Sequence, residues 1–143
     1  MQLTPVIAIH LSAALAALLI GPVALWARRG HAQRTPRTLR PRLHRAAGYA
    51  WVTLMLATAL SALFIRDAAL PNVGGYTPIH LLVPFTLIGL YLAFAHLRRG
   101  NLEGHRKAML GLYLGACVTA GAFSLLPGRY LGQLVWGHWL GLI

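Results

Sequence analysis

The chain has 143 residues, enough for one domain, and is 57% hydrophobic with a mean hydropathy of +0.62. Only 10% of its residues are charged, yet its net charge is +11, because two acids (Asp67 and Glu103) face thirteen Lys and Arg. That oiliness excludes an ordinary soluble domain, the gathering of the cations into two loops argues against a nucleic-acid face, and a lone cysteine excludes an internal disulfide or a thiolate metal cage.

The opening segment MQLTPV has no basic residue ahead of its apolar run. The run over 3–27 is therefore expected to be a retained membrane helix rather than a cleaved signal. It carries His10, with Ala13, Ala14 and Ala17 on the same helical face. Seven arginines (28, 29, 34, 37, 40, 42 and 45) and His31 follow, then His44 at the mouth of a second apolar run over 46–65. Pro71, Gly74, Gly75 and Pro78 predict a turn in the segment RDAALPNVGGYTP. The third run, 79–97, opens on His80 and closes on Arg98 and Arg99. Pro84 cannot donate to the His80 carbonyl, which predicts a kink there. Asn101 is suited to cap a fourth helix, with Glu103 near its positive end. His105 and Arg106 lead into the fourth run, 108–126, where Cys117 reads as a small buried hydrophobe.

Each run is long enough for the ~30 Å hydrocarbon core. Eleven of the thirteen cations lie in alternate loops, which places both hairpin turns on the cytoplasmic side and the N-terminus, the 66–78 loop and the C-terminus outside. The tail 127–143 is too short to span. Tyr130, Trp136 and Trp139 suit a helix lying at the outer interface, with His138 as an interfacial polar group. Small-residue stripes at Thr53, Ala57 and Ser61 and at Gly111, Gly115 and Thr119 are expected to be helix contacts.

The chain reads as a duplication. IHL at 9–11 precedes RRG at 28–30 as IHL at 79–81 precedes RRG at 98–100, and His-Arg recurs at 44–45 and 105–106. Both units run the same way through the membrane, a parallel repeat. The expected fold is an all-α integral membrane four-helix bundle of two parallel-repeat hairpins plus a short interfacial C-terminal helix. It forms a single transmembrane domain: repeat one about 3–65, repeat two about 79–126, tail 127–143. In such a bundle helices one and three are diagonal, as are two and four. His10 and His80 would oppose each other near the outer boundary, and His44 and His105 near the inner one. His96, about 160° around its helix from His80, is expected to face away.

Opposed imidazoles on diagonal helices suit a b-type haem, whose iron takes two axial ligands and whose macrocycle fills the space between. The expected ligands are His10 and His80 at an outer site and His44 and His105 at an inner one, with Arg45 and Arg106 placed for the propionates. Zinc or copper would need more ligands, a proton relay would need carboxylates, and no paired acids or Ser–His–Asp set points to hydrolysis. The expected function is an electron-transfer subunit of the bacterial inner membrane, rather than a stand-alone enzyme, exchanging electrons with quinone or a larger redox complex. The alternative is a cofactor-free accessory subunit or assembly factor that uses its small-residue faces and basic loops to bind a larger membrane complex.

The outer histidine of helix one, HRAAG at 44–48, IH at 79–80 and RGNLEGHRKAM at 99–109 resemble the bacterial predicted membrane proteins of the domain of unknown function 2306 family. The resemblance covers about His10 to Leu126. It departs at Ala108, where that family carries a tryptophan. It implies a multi-span membrane protein with histidines at the membrane edges, and no particular activity.

Overall fold

In the computed structural model, residues 4–28, 41–66, 73–127 and 129–142 are described, and every regular element is helical. Helix α1 spans Pro5–Arg28, with Pro5 at its first position, where a missing N–H costs nothing. Helix α2 spans Pro41–Ala62 and likewise opens on proline. A tight turn follows, in which Val73 and Tyr76 exchange two backbone hydrogen bonds around Gly74 and Gly75. Both glycines have positive φ, 62° and 87°, a geometry that L-residues with side chains resist. The expected turn is there, although Pro71 lies outside the described residues, as do His31, Asp67 and most of the first arginine loop.

The third helix starts as a 3₁₀ turn over Pro78–Leu81 and continues as α3 over Leu82–Arg98. The kink expected at Pro84 is replaced by this 3₁₀-to-α junction, which places Pro84 in the first α-turn. The fourth helix, α4, is one rod in three parts: α-helical Leu102–Leu112, a π-turn over Tyr113–Val118 and α-helical Thr119–Ser124. Asn101 caps it as expected, accepting the Gly104 N–H at 2.8 Å on Oδ1. Glu103 lies in its first turn and pairs with Lys107 at 2.8 Å. The tail folds as α5, Tyr130–Gly132, running on as a π-helix over Gln133–Trp139.

Each helix packs on its chain neighbours, and the π-turn of α4 closes the ring against α1. Hydrogen bonds fix the directions. The start of α1 meets the end of α2 through His10 and Thr58, and the start of α2 meets the end of α1 through His44 and Ala24. The start of α4 meets the end of α3 through His105 and Ala93. The arrangement is thus up-down-up-down, with α1 diagonal to α3 and α2 diagonal to α4.

The core is a central layer of Ala17, Trp51, Met55, Leu90, Leu112 and Ala116. Buried small residues on α1 (Ala13, Ala17 and Gly21) let α2 approach with Ala47, Trp51, Met55 and Ala59. These stripes differ from the expected ones. Thr53 and Thr119 are exposed, and a Cβ on Gly111 would touch nothing within 4 Å. Ala57 and Ser61 are half-buried, and Gly115 does pack, against Phe85. Outward faces are apolar: Leu19, Leu60, Ile88 and Leu114 are all more than half exposed. That inversion of the soluble rule suits lipid contact.

Three helices are long and apolar enough to cross a membrane: Pro5–Ala27, Pro78–Arg98 and Leu102–Ser124. Helix α2 matches them in length, with 22 residues, but Arg42, His44 and Arg45 in its first turns, with Tyr49, Thr53, Thr58 and Ser61 beyond, lower its hydropathy.

Two proline-freed or strained places carry the packing. Pro22 lies inside α1 and cannot donate to the Leu18 carbonyl one turn earlier. Tyr113, at the head of the π-turn, donates its phenol O–H to that carbonyl at 3.1 Å. Gly132 presses on the Leu126 backbone so closely that no Cβ fits. Beside it, Trp136 Nε1–H donates to the Leu125 carbonyl at 2.6 Å. The tail is therefore docked on the end of α4.

Candidate cofactor site

Among the described residues a cavity lies toward each end of the bundle, and each receives one of the two expected histidine pairs. The inner cavity, about 550 Å³, is lined by His44, Arg45, His105 and Arg106. Its walls include Trp51, Phe94, Met109 and Tyr113. That volume lies within the range of small-molecule and cofactor sites.

The two inner histidines make the same hydrogen bond. His44 Nδ1–H donates to the Ala24 carbonyl at 2.9 Å, and His105 Nδ1–H donates to the Ala93 carbonyl at 2.9 Å. In each case the first turn of a helix reaches the last turns of the helix before it. A carbonyl can only accept, so the proton sits on Nδ1 and Nε2 keeps its lone pair. Neither Nε2 has a partner among the described residues. This is the arrangement by which proteins hold a metal-ligating imidazole: one nitrogen oriented by a carbonyl, the other offered as ligand.

Arg45 and Arg106, both exposed, also border the cavity. The single salt bridge among the described residues is Lys107–Glu103, so neither arginine has a carboxylate partner there. Deeper in, Trp51 is 2% exposed and its indole N–H makes no hydrogen bond. A buried donor without an oxygen or nitrogen acceptor is unfavourable, and this one is closed off from the cavity and lies toward Cys117. Gly48, on the same wall one turn beyond His44, opens space, since a Cβ there would meet nothing within 4 Å.

The outer cavity, about 290 Å³, is lined by His10 and His80 amid aliphatic side chains from all four helices. Arg129, Tyr130 and Leu131 close it from the tail. Here the duplication is broken. His10 sits within a full α-helix and donates Nδ1–H to the Thr58 carbonyl at 3.0 Å, with Ser61 Oγ also 3.0 Å away. Its Nε2 has no partner among the described residues. His80 sits in the 3₁₀ turn, and both of its nitrogens are engaged. Nε2–H donates to the Ile65 carbonyl at 2.9 Å, while Nδ1 accepts the Thr77 N–H at 3.1 Å. Tyr76 stands edge-on to its ring at 5.1 Å, and the Arg66 guanidinium lies 5.4 Å from the Tyr76 ring centre. As placed, His80 staples the outer turn and has no lone pair left for a metal.

His96 serves the turn between α3 and α4, where Asn101 Nδ2–H donates to its Nδ1 at 3.2 Å. His138 is exposed. Cys117 is half-buried, its Sγ 3.2 Å from the Met55 sulfur. No group of three or more His, Cys, Asp or Glu among the described residues could hold a bare metal ion.

The inner donor set therefore fits a metal that brings its own equatorial ligands. If such a group bound here, His44 and His105 on diagonal helices would hold its metal, the apolar and aromatic walls would enclose its ring, and Arg45 and Arg106, without a carboxylate partner among the described residues, would meet its carboxylates. Trp51 and Tyr113 were missed as wall residues in the sequence. Each stands seven or eight positions after its histidine, two turns along the same face, so helical spacing from His44 and His105 could have found them.

The chain matches the family described as predicted membrane protein (DUF2306) over residues 7–136. No curated protein and no solved structure matches it significantly.

Proposed function

Since the chain belongs to the DUF2306 family of predicted membrane proteins, we propose that it is a membrane electron-transfer protein whose inner cavity binds b-type haem through His44 and His105. The observation that carries this reading is the matched pair of Nδ1–H···O=C bonds, which leaves two Nε2 atoms at one cavity. When bound, haem supplies one-electron exchange. The Ala24 and Ala93 carbonyls fix tautomer and ring orientation, Arg45 and Arg106 neutralise the propionates, and the aromatic wall keeps water from the iron.

In this reading α2 crosses the bilayer as a fourth span. Its 22 residues rise about 33 Å, and it runs antiparallel to α1 along its length. Both basic loops face the cytoplasm, which puts the haem near the inner surface of the bacterial inner membrane and its redox partner among quinones or a larger membrane complex. The test is a visible spectrum of the purified protein, expressed with haem supplied. A Soret band with bis-imidazole α and β bands is expected. Its absence rejects the proposal.

A second reading follows from the outer pair. His80 is a satisfied structural group, and His10 ties α1 to α2. This favours a scaffold role at that end, as in an accessory subunit of a larger complex. The purified protein would then show no Soret band, and replacing both by Ala would impair assembly of the larger complex.

A further inference from the structure

We infer that the outer cavity is a binding site for a quinol-class ligand, a dihydroxyaromatic ring with an apolar tail. The inference stands on the outer cavity alone and holds whatever fills the inner one.

Its first support is hydrogen-bond direction. The Thr58 carbonyl holds the His10 proton on Nδ1, so Nε2 enters the cavity as a bare acceptor. Ser61 reinforces this, because its own hydroxyl donates to the same carbonyl at 3.0 Å and its lone pairs face the imidazole. His80 cannot supply a competing donor, since its N–H is spent on Ile65. The cavity thus offers a fixed lone pair and asks for an O–H or N–H. Tyr130, from the tail, also lines it, and its phenol has no partner among the described residues. A ligand oxygen that accepts from Tyr130 while another donates to His10 satisfies both.

Its second support is the medium. Apart from those groups the lining is mainly Ala, Leu, Ile, Val and Phe, and it lies between membrane-spanning helices. Such a site selects a molecule that partitions into lipid and carries few polar atoms. About 290 Å³ is near the lower end for a ligand pocket, room for a single substituted ring and the start of its tail. A plain acyl chain leaves both polar groups unmet, and because Arg129 also borders the cavity, a phospholipid is the competing occupant that the displacement measurement below distinguishes.

Oxidation state follows from the same geometry. A quinol has two O–H groups and can donate to Nε2. A quinone has only acceptors, and its carbonyl would face the Nε2 lone pair. The site therefore prefers the reduced form.

The experiment uses the full-length protein in lipid nanodiscs and a decyl-substituted benzoquinol, kept reduced under argon, beside its quinone. Saturable quinol binding about tenfold tighter than quinone binding is expected, the worth of one hydrogen bond. His10→Phe should erase that preference. Tyr130→Phe should weaken both ligands, and Ala120→Phe, which fills the cavity, should abolish both. Gel filtration checks each variant's fold. If His10→Phe does not fold, Tyr130→Phe, Ala120→Phe and the wild-type preference decide. Equal affinity for the two forms, unsaturable partitioning, binding untouched by Ala120→Phe, or a co-purified phospholipid that quinol fails to displace would each overturn the inference.

Discussion

Tyr113 donates its phenol O–H to the carbonyl of Leu18, across the bundle from α4 to α1, and it does so because Pro22 leaves that carbonyl without its helical donor. The π-turn starting at Tyr113 is where α4 meets α1. Tyr113→Phe leaves a half-buried carbonyl unpaired and should cost about 1–3 kcal/mol in a reversible detergent unfolding titration. Pro22→Ala restores an N–H to α1. In that background Tyr113→Phe should cost clearly less, and equal cost in both backgrounds would show that the carbonyl is not the partner that matters.

His44→Ala and His105→Ala each remove one proposed axial ligand. Each should lower bound haem at least about tenfold, read as Soret absorbance per protein, and the two together should do no worse than remove it. His96→Ala, by contrast, should keep the full band, because His96 is engaged with Asn101 in the α3–α4 turn. Loss of the band only in a His10 variant would move the haem to the other end of the bundle.

Asn101 does two jobs at that turn, capping α4 through Oδ1 and holding His96 through Nδ2. Asn101→Ala should destabilise by about 1 kcal/mol. Asn101→Asp keeps the capping oxygen and should retain most of the stability, which separates the cap from the contact with His96.

Gly132→Ala sets a methyl against the Leu126 backbone, where neither side can yield by a rotamer change. The tail should undock. Limited proteolysis after residue 126 should accelerate, and Trp136 emission should shift as its N–H loses the Leu125 carbonyl. Unchanged proteolysis would mean that the tail is held elsewhere.

Four spans and three spans predict opposite sides for the α3–α4 turn. With Cys117→Ser as background, Val73→Cys and Leu102→Cys probe two exposed positions. If α2 crosses, an impermeant thiol reagent added to intact cells labels position 73 and not 102. If α2 stays on the cytoplasmic side, position 73 stays inside, 102 moves outside and the labelling pattern inverts.

Much of this was written in the chain. The four helices, the Asn101 cap, the Gly74–Gly75 turn and the pairing of histidines at like depth all follow from local chemistry and periodicity. The packing stripes did not. Thr53, Gly111 and Thr119 fulfil the small-residue pattern as well as Ala13, Ala17 and Gly21 do, yet they face outward. In a membrane both sides of a helix are apolar, so hydrophobicity cannot say which small stripe meets protein.

Composition, basic loops and the repeated His-to-Arg spacing determined a helical membrane bundle with two histidine pairs. Only the tertiary structure decided that those pairs are chemically unlike. A ring nitrogen's role depends on which carbonyl lies within 3 Å of it, and that is set by the packing of another helix. Ala24 and Ala93 leave the inner imidazoles with a lone pair each, whereas Ile65 and Thr77 consume both nitrogens of His80. The sequence repeats the residue; the neighbouring backbone assigns its work.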